Sequence, residues 1–341
     1  MNLAELHKIA CAMVTSGKGL LAADESSGTI KKRFDAVGIE STPESRRDYR
    51  ELLFRSSEAM SKYVSGVILY DETIRQKAKD GTALVALIQQ SGAIPGIKVD
   101  KGSKPLAACP GEKVTEGLDG LRERLAEYRE LGARFAKWRA VIDIGPGIPS
   151  HTCVVANAHA LGRYAALCQE QDIVPIVEPE VLMDGAHDMD RCYQVTEFVL
   201  KETFEQLYEQ RIALEGMVLK PNMVVPGKKS GQRASAEEVA ERTLKLLKNC
   251  VPPAVPGIAF LSGGQSDEEA TAHLDALNRL GELPWHLTFS YGRALQAAPQ
   301  KAWSGKSENV AAAQRAFTHR ARMNALAALG QWKADLERRA A

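Results

Sequence analysis

Ile173-Val174-Pro175-Ile176-Val177-Glu178-Pro179-Glu180 is a β-branched run closed by two carboxylates two residues apart. Residues two apart on a strand share a face, so Glu178 and Glu180 point the same way at the end of the run. The pattern recurs along the chain. Short apolar runs at Gly19–Ala23, Val64–Tyr70, Ile94–Val99, Phe135–Ile142, Ile173–Val177, Gly216–Leu219, Ile258–Leu261 and His286–Phe289 each end in polar, Gly or Pro residues. Between them lie segments with helical apolar spacing, such as Leu118, Leu121, Leu125 and Tyr128, or Leu161, Tyr164, Ala165 and Cys168.

Helix starts are signalled by chemistry as well as by period. Thr42-Pro43 offers an N-cap followed by proline, and Ser235…Glu238 and Ser266…Glu269 fit the capping box. Parallel strands need crossovers, usually helical, and eight strand–helix units suit a closed barrel better than an open sheet. The reading is therefore α/β, a single (β/α)8 TIM barrel over residues 1–341 with a short helical C-terminal tail. An open doubly wound sheet is the structural alternative. The Pro/Gly-rich stretches Gly145–Pro149, Pro226–Gly231 and Val251–Gly257 are short and fall where loops are expected, and the stretch from Ser307 to Arg339 reads as helix.

Composition excludes several classes of function. Lys plus Arg number 44 against 43 Asp plus Glu, so no global field draws the chain onto nucleic acid or an anionic membrane. An anionic ligand must be met by local positive charge. The six cysteines are scattered without a C-x-x-C pair, which predicts reduced thiols and a cytoplasmic location. Neither a secretory leader nor an apolar run long enough to span a membrane is present in the sequence. The seven histidines show no H-x-x-x-H or similar ligand spacing, so no metal and no cofactor is expected.

In a barrel the reacting groups stand at the C-terminal ends of the strands. Here those ends carry Asp24-Glu25-Ser26, Lys98 with Asp100-Lys101, Lys137 and Arg139 around Trp138, Glu178 and Glu180, and Lys220-Pro221-Asn222. Lysine is depleted from strands, and a buried ammonium must be paired or neutralised. Simple ion pairing that ties the barrel ends together is the bland interpretation. The sharper one is that clustered cations and desolvation lower one another's pKa, leaving one of Lys98, Lys137 and Lys220 as a neutral, nucleophilic amine. These residue types alone do not choose among the three. A carboxylate at Glu178 or Glu180 can then pass protons to and from a carbonyl adduct.

Two glycine-rich turns follow the last two runs, Ser262-Gly263-Gly264-Gln265-Ser266 and Ser290-Tyr291-Gly292-Arg293. Barrel loops seven and eight often bind phosphate, because glycine lets backbone N–H groups approach the oxygens beside a helix N-terminus. Ser26 to Thr29 with Lys31, Lys32 and Arg33 can hold a second phosphate, or can be a capped, solvated helix.

At these residues the chain resembles the class I, Schiff-base fructose-bisphosphate aldolases. The similarity runs from about Ile9 to Asn324 through the strings at Gly17–Ser26, Gly96–Gly102, Phe135–Arg139, Val174–Glu180, Leu219–Val224, Phe260–Ser266 and Thr288–Gln296. The resemblance implies reversible cleavage of fructose 1,6-bisphosphate to dihydroxyacetone phosphate and glyceraldehyde 3-phosphate, without a cofactor, by a homotetramer. It makes Lys220 the Schiff-base lysine and Glu178 the acid/base of dehydration. Asp24 and Lys137 then flank the bond that breaks, and Glu180 sets the electrostatics. It places one phosphate on Ser262, Gly263, Gly264, Ser290 and Arg293, and the other on Ser26, Thr29, Arg33, Lys98 and Arg139. Rival interpretations are another Schiff-base lyase or a transaldolase-like transferase, and a non-catalytic scaffold that keeps the fold. Animal members carry a longer tail ending in tyrosine, whereas here the last tyrosine is Tyr291. Lys333–Ala341 are charged or small and are expected to fray, with no chemical part.

Overall fold

The computed structural model describes residues 1–339. Eight parallel strands close a barrel in sequence order: β1 (Gly19–Ala23), β2 (Val64–Leu69), β3 (Ile94–Lys98), β4 (Phe135–Ile142), β5 (Val174–Val181), β6 (Val218–Leu219), β7 (Gly257–Phe260) and β8 (His286–Tyr291), with β8 pairing back onto β1. The open-sheet alternative is thereby removed. Helices cross over between strands, and among the described residues no helix is long and apolar enough to cross a membrane.

The period-2 alternation sorts the lumen into layers. Leu20, Ala22, Ile68, Phe135, Val174, Ile176, Val218 and Ala259 form an apolar plug, closed from below by Leu6, Ala10 and Met13 of the N-terminal helix Leu3–Met13. One step further along the same faces come Asp24 after Ala22, Lys137 after Phe135, Glu178 after Ile176 and Lys220 after Val218. The charged residues therefore stack on an apolar floor. The out-facing Trp138 instead packs against Tyr164 of the helix His151–Glu170, ring centroids 5.6 Å apart. Gly96 has a steric reason, because a Cβ there would overlap the Phe135 ring that fills the floor.

Two boundaries differ from expectation in ways that matter. β5 runs to Val181, and Arg139 pairs with Glu178 while Val141 pairs with Glu180, so both carboxylates lie within the ladder. Pro179 is accommodated beyond the last β6 pairing, Val177 with Leu219.

The C-terminal stretch is not one helix. It divides into a 3-10 turn Ser307–Asn309, the helix Val310–Ala327 and a 3-10 turn Ala334–Arg339. Gly330, with φ of 65°, ends the long helix: Gln331 N donates to Leu326 O and Gly330 N to Ala327 O, a Schellman motif. The tail is also bonded over its described part, where Glu337 accepts from Arg320, His319 and Trp332. Composition predicted a solvated end, but a carboxylate facing a buried guanidinium overrides it. Ala340 and Ala341 lie outside the described residues.

Candidate active site at the barrel mouth

The strand ends converge on a cavity of about 230 Å³ lined by Asp24, Ser26, Thr29, Arg33, Lys98, Lys137, Arg139, Glu178, Glu180, Lys220, Ser262, Gly263, Ser290 and Arg293. Every residue that the family resemblance assigns to the site lines it except Gly264. Gly264 sits one step outside, its N–H donating to Met183 Sδ at 2.8 Å. Lys31 and Lys32 stay out as well: both are exposed, and Lys31 pairs with Asp35 at 2.7 Å. Ser26 is both a cap and a lining residue, accepting from Thr29 N at 3.4 Å while its Oγ lies 3.1 Å from Thr29 Oγ1.

Charges of opposite sign alternate across the lumen. Lys137 Nζ lies 2.7 Å from Asp24 Oδ2 and 3.4 Å from Glu178 Oε2, and Lys220 Nζ lies 3.1 Å from Glu178 Oε1. Lys98 meets Asp100 at 3.5 Å, and Arg139 pairs with Glu180. Of the three lysines among which a neutral amine is expected, Lys137 does not fit that part. Burial works to lower its ammonium, but Asp24, Glu178 and Asp100 outweigh burial and hold it charged well above the usual lysine range. Burial likewise works to raise Asp24, yet Lys137, Lys220 and Lys98 hold that carboxyl well below its ordinary value. Glu178 is also lowered, Lys137, Lys220 and Arg139 together overcoming its burial. Lys137 is therefore favoured as a cation; the other two lysines differ in burial, Lys98 being partly exposed. Of these Lys220 is the buried one.

Two buried atoms lack a hydrogen-bond partner where a ligand would sit. Glu178 Oε2 is within ion-pair range of Lys137 but accepts no hydrogen bond, and Ser290 Oγ has no partner. Buried polar atoms are almost always satisfied, and these two, which line the mouth cavity, are open to a ligand or a water.

The turns after β7 and β8 are tied together by Arg293 Nη2, which donates to Gly263 O. β3 and β4, which carry Lys98 and Arg139, lie opposite β7 and β8 around the closed barrel. Two groups of basic and hydroxyl side chains therefore face each other across the mouth. Arg33 stands between them: it pairs with Glu25, and its Nη2 lies 3.7 Å from the position of a Cβ on Gly292.

Sequence reasoning did not pick out what orients Arg33. Glu25 is buried and also accepts from Arg50 Nη2 at 2.9 Å and Gln296 Nε2 at 2.7 Å. A cue existed in Arg50, which falls at helical spacing with Leu53 and Phe54 on the buried face of its helix. Among the described residues, no group of three or more His, Cys, Asp or Glu is placed to hold a metal ion.

The sequence profile of the glycolytic class-I fructose-bisphosphate aldolase family matches residues 5–341. A "Probable fructose-bisphosphate aldolase class 1" of Xanthomonas campestris pv. campestris is 60% identical over 334 residues, covering 98% of this chain and 100% of the relative. "Fructose-bisphosphate aldolase 4, cytosolic" of Arabidopsis thaliana is 52% identical, covering 98% of this chain and 85% of the relative. A fructose-bisphosphate aldolase of Plasmodium falciparum, solved in a ternary complex with TRAP and a small-molecule inhibitor, superposes with a TM-score of 0.96. It is 48% identical, with 97% of this chain and 96% of that one covered.

Proposed function

This chain belongs to the class I fructose-bisphosphate aldolase family, and from that premise we propose that it cleaves fructose 1,6-bisphosphate reversibly through a Schiff base on Lys220. The observation that carries the assignment is the contact of buried Lys220 Nζ with Glu178 Oε1 at 3.1 Å, while Glu178 Oε2 has no hydrogen-bond partner.

That pair can balance the protons of imine formation. Lys220 passes one proton to Glu178, and the neutral amine attacks the C2 ketone. A proton moves from the attacking nitrogen to the alkoxide to give the carbinolamine, and Glu178 then returns its proton to the departing hydroxyl, so that water and an iminium result. The iminium withdraws the electron pair of the C3–C4 bond as the C4 hydroxyl gives its proton to Glu178, which is again a carboxylate once water has left. Asp24, held as an anion, and Lys137, held as a cation, flank the breaking bond, and Glu180 fixes Arg139 at its edge. Glyceraldehyde 3-phosphate leaves, the enamine is protonated at C3, and hydrolysis frees dihydroxyacetone phosphate.

The C1 phosphate rests on Ser262, Gly263, Ser290 and Arg293, with Gly264 shaping the turn. The C6 phosphate is met by Ser26, Thr29, Lys98 and Arg139, and Arg33 reaches toward both. The support is the opposition of β3 and β4 to β7 and β8, together with the unpartnered Ser290 Oγ. The whole chain acts as one catalytic domain, in the cytoplasm and as a homotetramer. The assembly rests on family resemblance, and the location on six free cysteines and the cytosolic relative.

Borohydride reduction in the presence of dihydroxyacetone phosphate tests the core of this assignment. One adduct, on Lys220, with loss of activity is the expected result, and an adduct on Lys98 overturns it.

A further inference from the structure

The described end of the chain is fastened to the helix that follows one phosphate turn. Glu337 accepts two hydrogen bonds from Arg320 Nη1, at 2.8 and 2.7 Å, and one from Trp332 Nε1 at 3.0 Å, while His319 Nε2 lies 3.0 Å away. The Arg320 and Glu337 side chains are only 5% and 8% exposed. Such a pair is well shielded from solvent, and its geometry is correspondingly rigid.

Arg320 reaches onward from the tail. Its Nη2 donates to Asp267 O at 3.0 Å and to Thr271 Oγ1 at 2.6 Å, both in the helix Asp267–Asn278, and Asn324 Oδ1 accepts from the same Thr271 hydroxyl at 2.7 Å. That helix is also what the phosphate turns lean on. Gln265 Nε2 donates to Ser262 O at 3.0 Å while its Oε1 pairs with His273 of the helix, and Tyr291, one residue before Gly292, donates its hydroxyl to Ala270 O at 2.8 Å. The first turns of one helix thus meet Arg320, the partner of the tail's Glu337, on one side and both turns on the other.

We infer that Glu337 is a positioning residue for substrate phosphate. By holding Arg320 against Asp267 and Thr271, the docked tail fixes the start of the Asp267–Asn278 helix, and with it the Ser262–Gly264 turn, in the geometry that receives the C1 phosphate. The inference rests on the assignment of that turn to phosphate under the proposed function. Glu337 touches no substrate, and its effect passes through Arg320. Loosening the turn weakens binding of a phosphate-bearing ligand without altering the chemistry at Lys220, which stands on β6 and its own partners.

The test compares Glu337→Gln, which keeps the shape and removes the charge, and Glu337→Asp with the unaltered chain. In Glu337→Gln, KM for both fructose 1,6-bisphosphate and fructose 1-phosphate and the competitive inhibition constant of inorganic phosphate should rise about tenfold, with kcat within about threefold. Glu337→Asp should recover part of that rise. Borohydride trapping of unphosphorylated dihydroxyacetone, per folded molecule counted by circular dichroism, should be unchanged. A merely structural role predicts fewer active molecules at unchanged KM, and that outcome overturns the inference. Ser262→Ala and Arg293→Ala separate the two claims. If these raise both KM values while Glu337→Gln does not, positioning by the tail is refuted alone; if neither raises KM, the phosphate assignment falls and takes the positioning role with it.

Discussion

Lys137 Nζ, on β4, stands 2.7 Å from Asp24 Oδ2 at the end of β1, so an ion pair bridges non-adjacent strands across the barrel mouth. Each partner is the other's main reason to stay charged in a buried place, since an isolated ion there would be neutralised. The pair keeps a cation and an anion side by side where the proposed carbonyl adduct would build up and lose charge.

Substituting Lys137→Met removes the strongest of the three lysine influences that lower Asp24. A carboxylate depressed in the folded state stabilises it above the unfolded value of about 3.9, and this is lost as pH falls through the folded value. The Asp24 carboxyl should therefore titrate higher in Lys137→Met, acid unfolding should begin at higher pH, and kcat should fall at least about 100-fold. Carboxyl-carbon NMR titration reads the first effect; an unmoved Asp24 signal would show that the pair is not what holds it ionised.

Glu178→Gln keeps an acceptor near Lys220 but cannot exchange a proton. Steady-state cleavage should drop by about 100-fold or more, while noncovalent binding of dihydroxyacetone phosphate changes little. Rapid-quench borohydride trapping should show slowed iminium formation. A normal trapping rate would transfer the dehydration role to another group, with Glu180 the next carboxylate on the same face.

Lys98 and the β7–β8 turns lie on opposite sides of the mouth, so their loss should be felt by different substrates. A charge-assisted hydrogen bond to phosphate is worth about 1.5–3 kcal/mol, roughly 10- to 150-fold in affinity. Lys98→Ala should raise KM for fructose 1,6-bisphosphate by that factor and leave fructose 1-phosphate nearly untouched, whereas Arg293→Ala should harm both. Arg33→Ala should fall between, because its guanidinium lines the same cavity as Lys98 and lies near Gly292 in the β8 turn. Equal penalties for Lys98→Ala on the two sugars would refute the two-site arrangement.

Ending the chain after Trp332 deletes Glu337 and leaves the Arg320 guanidinium buried without its counter-charge. Breaking a buried pair in this way typically costs about 3–5 kcal/mol. Urea unfolding of the truncated chain should show a clearly lower midpoint at an unchanged slope. An unchanged midpoint would mean that the tail frays in solution, as its composition suggests.

The fold was legible because its signals are local and repeat. Apolar runs with charged ends mark the barrel strands, and the capping boxes at Ser235 and Ser266 are formed in the structure as read. Period-2 alternation also puts Lys137 and Arg139 on one face and Trp138 on the other. The long C-terminal helix was over-extended because the Gly330 stop was passed over, although a glycine at a helix end is itself a local cue.

The sequence by itself determined that eight strand ends would present lysines, carboxylates and glycine-rich turns to one rim, since strand direction and alternation depend only on neighbours along the chain. Tertiary structure alone decided which charge faces which: Lys137 with Asp24, Lys220 with Glu178, Arg33 with Glu25, and Arg320 with Glu337 beside Asp267 and Thr271. Most of these partners are tens of residues apart or more. The charged states of Asp24, Lys137 and Glu178 follow from spacing of a few ångströms inside a low-dielectric lumen, a quantity set by barrel closure and carried by no local stretch of sequence.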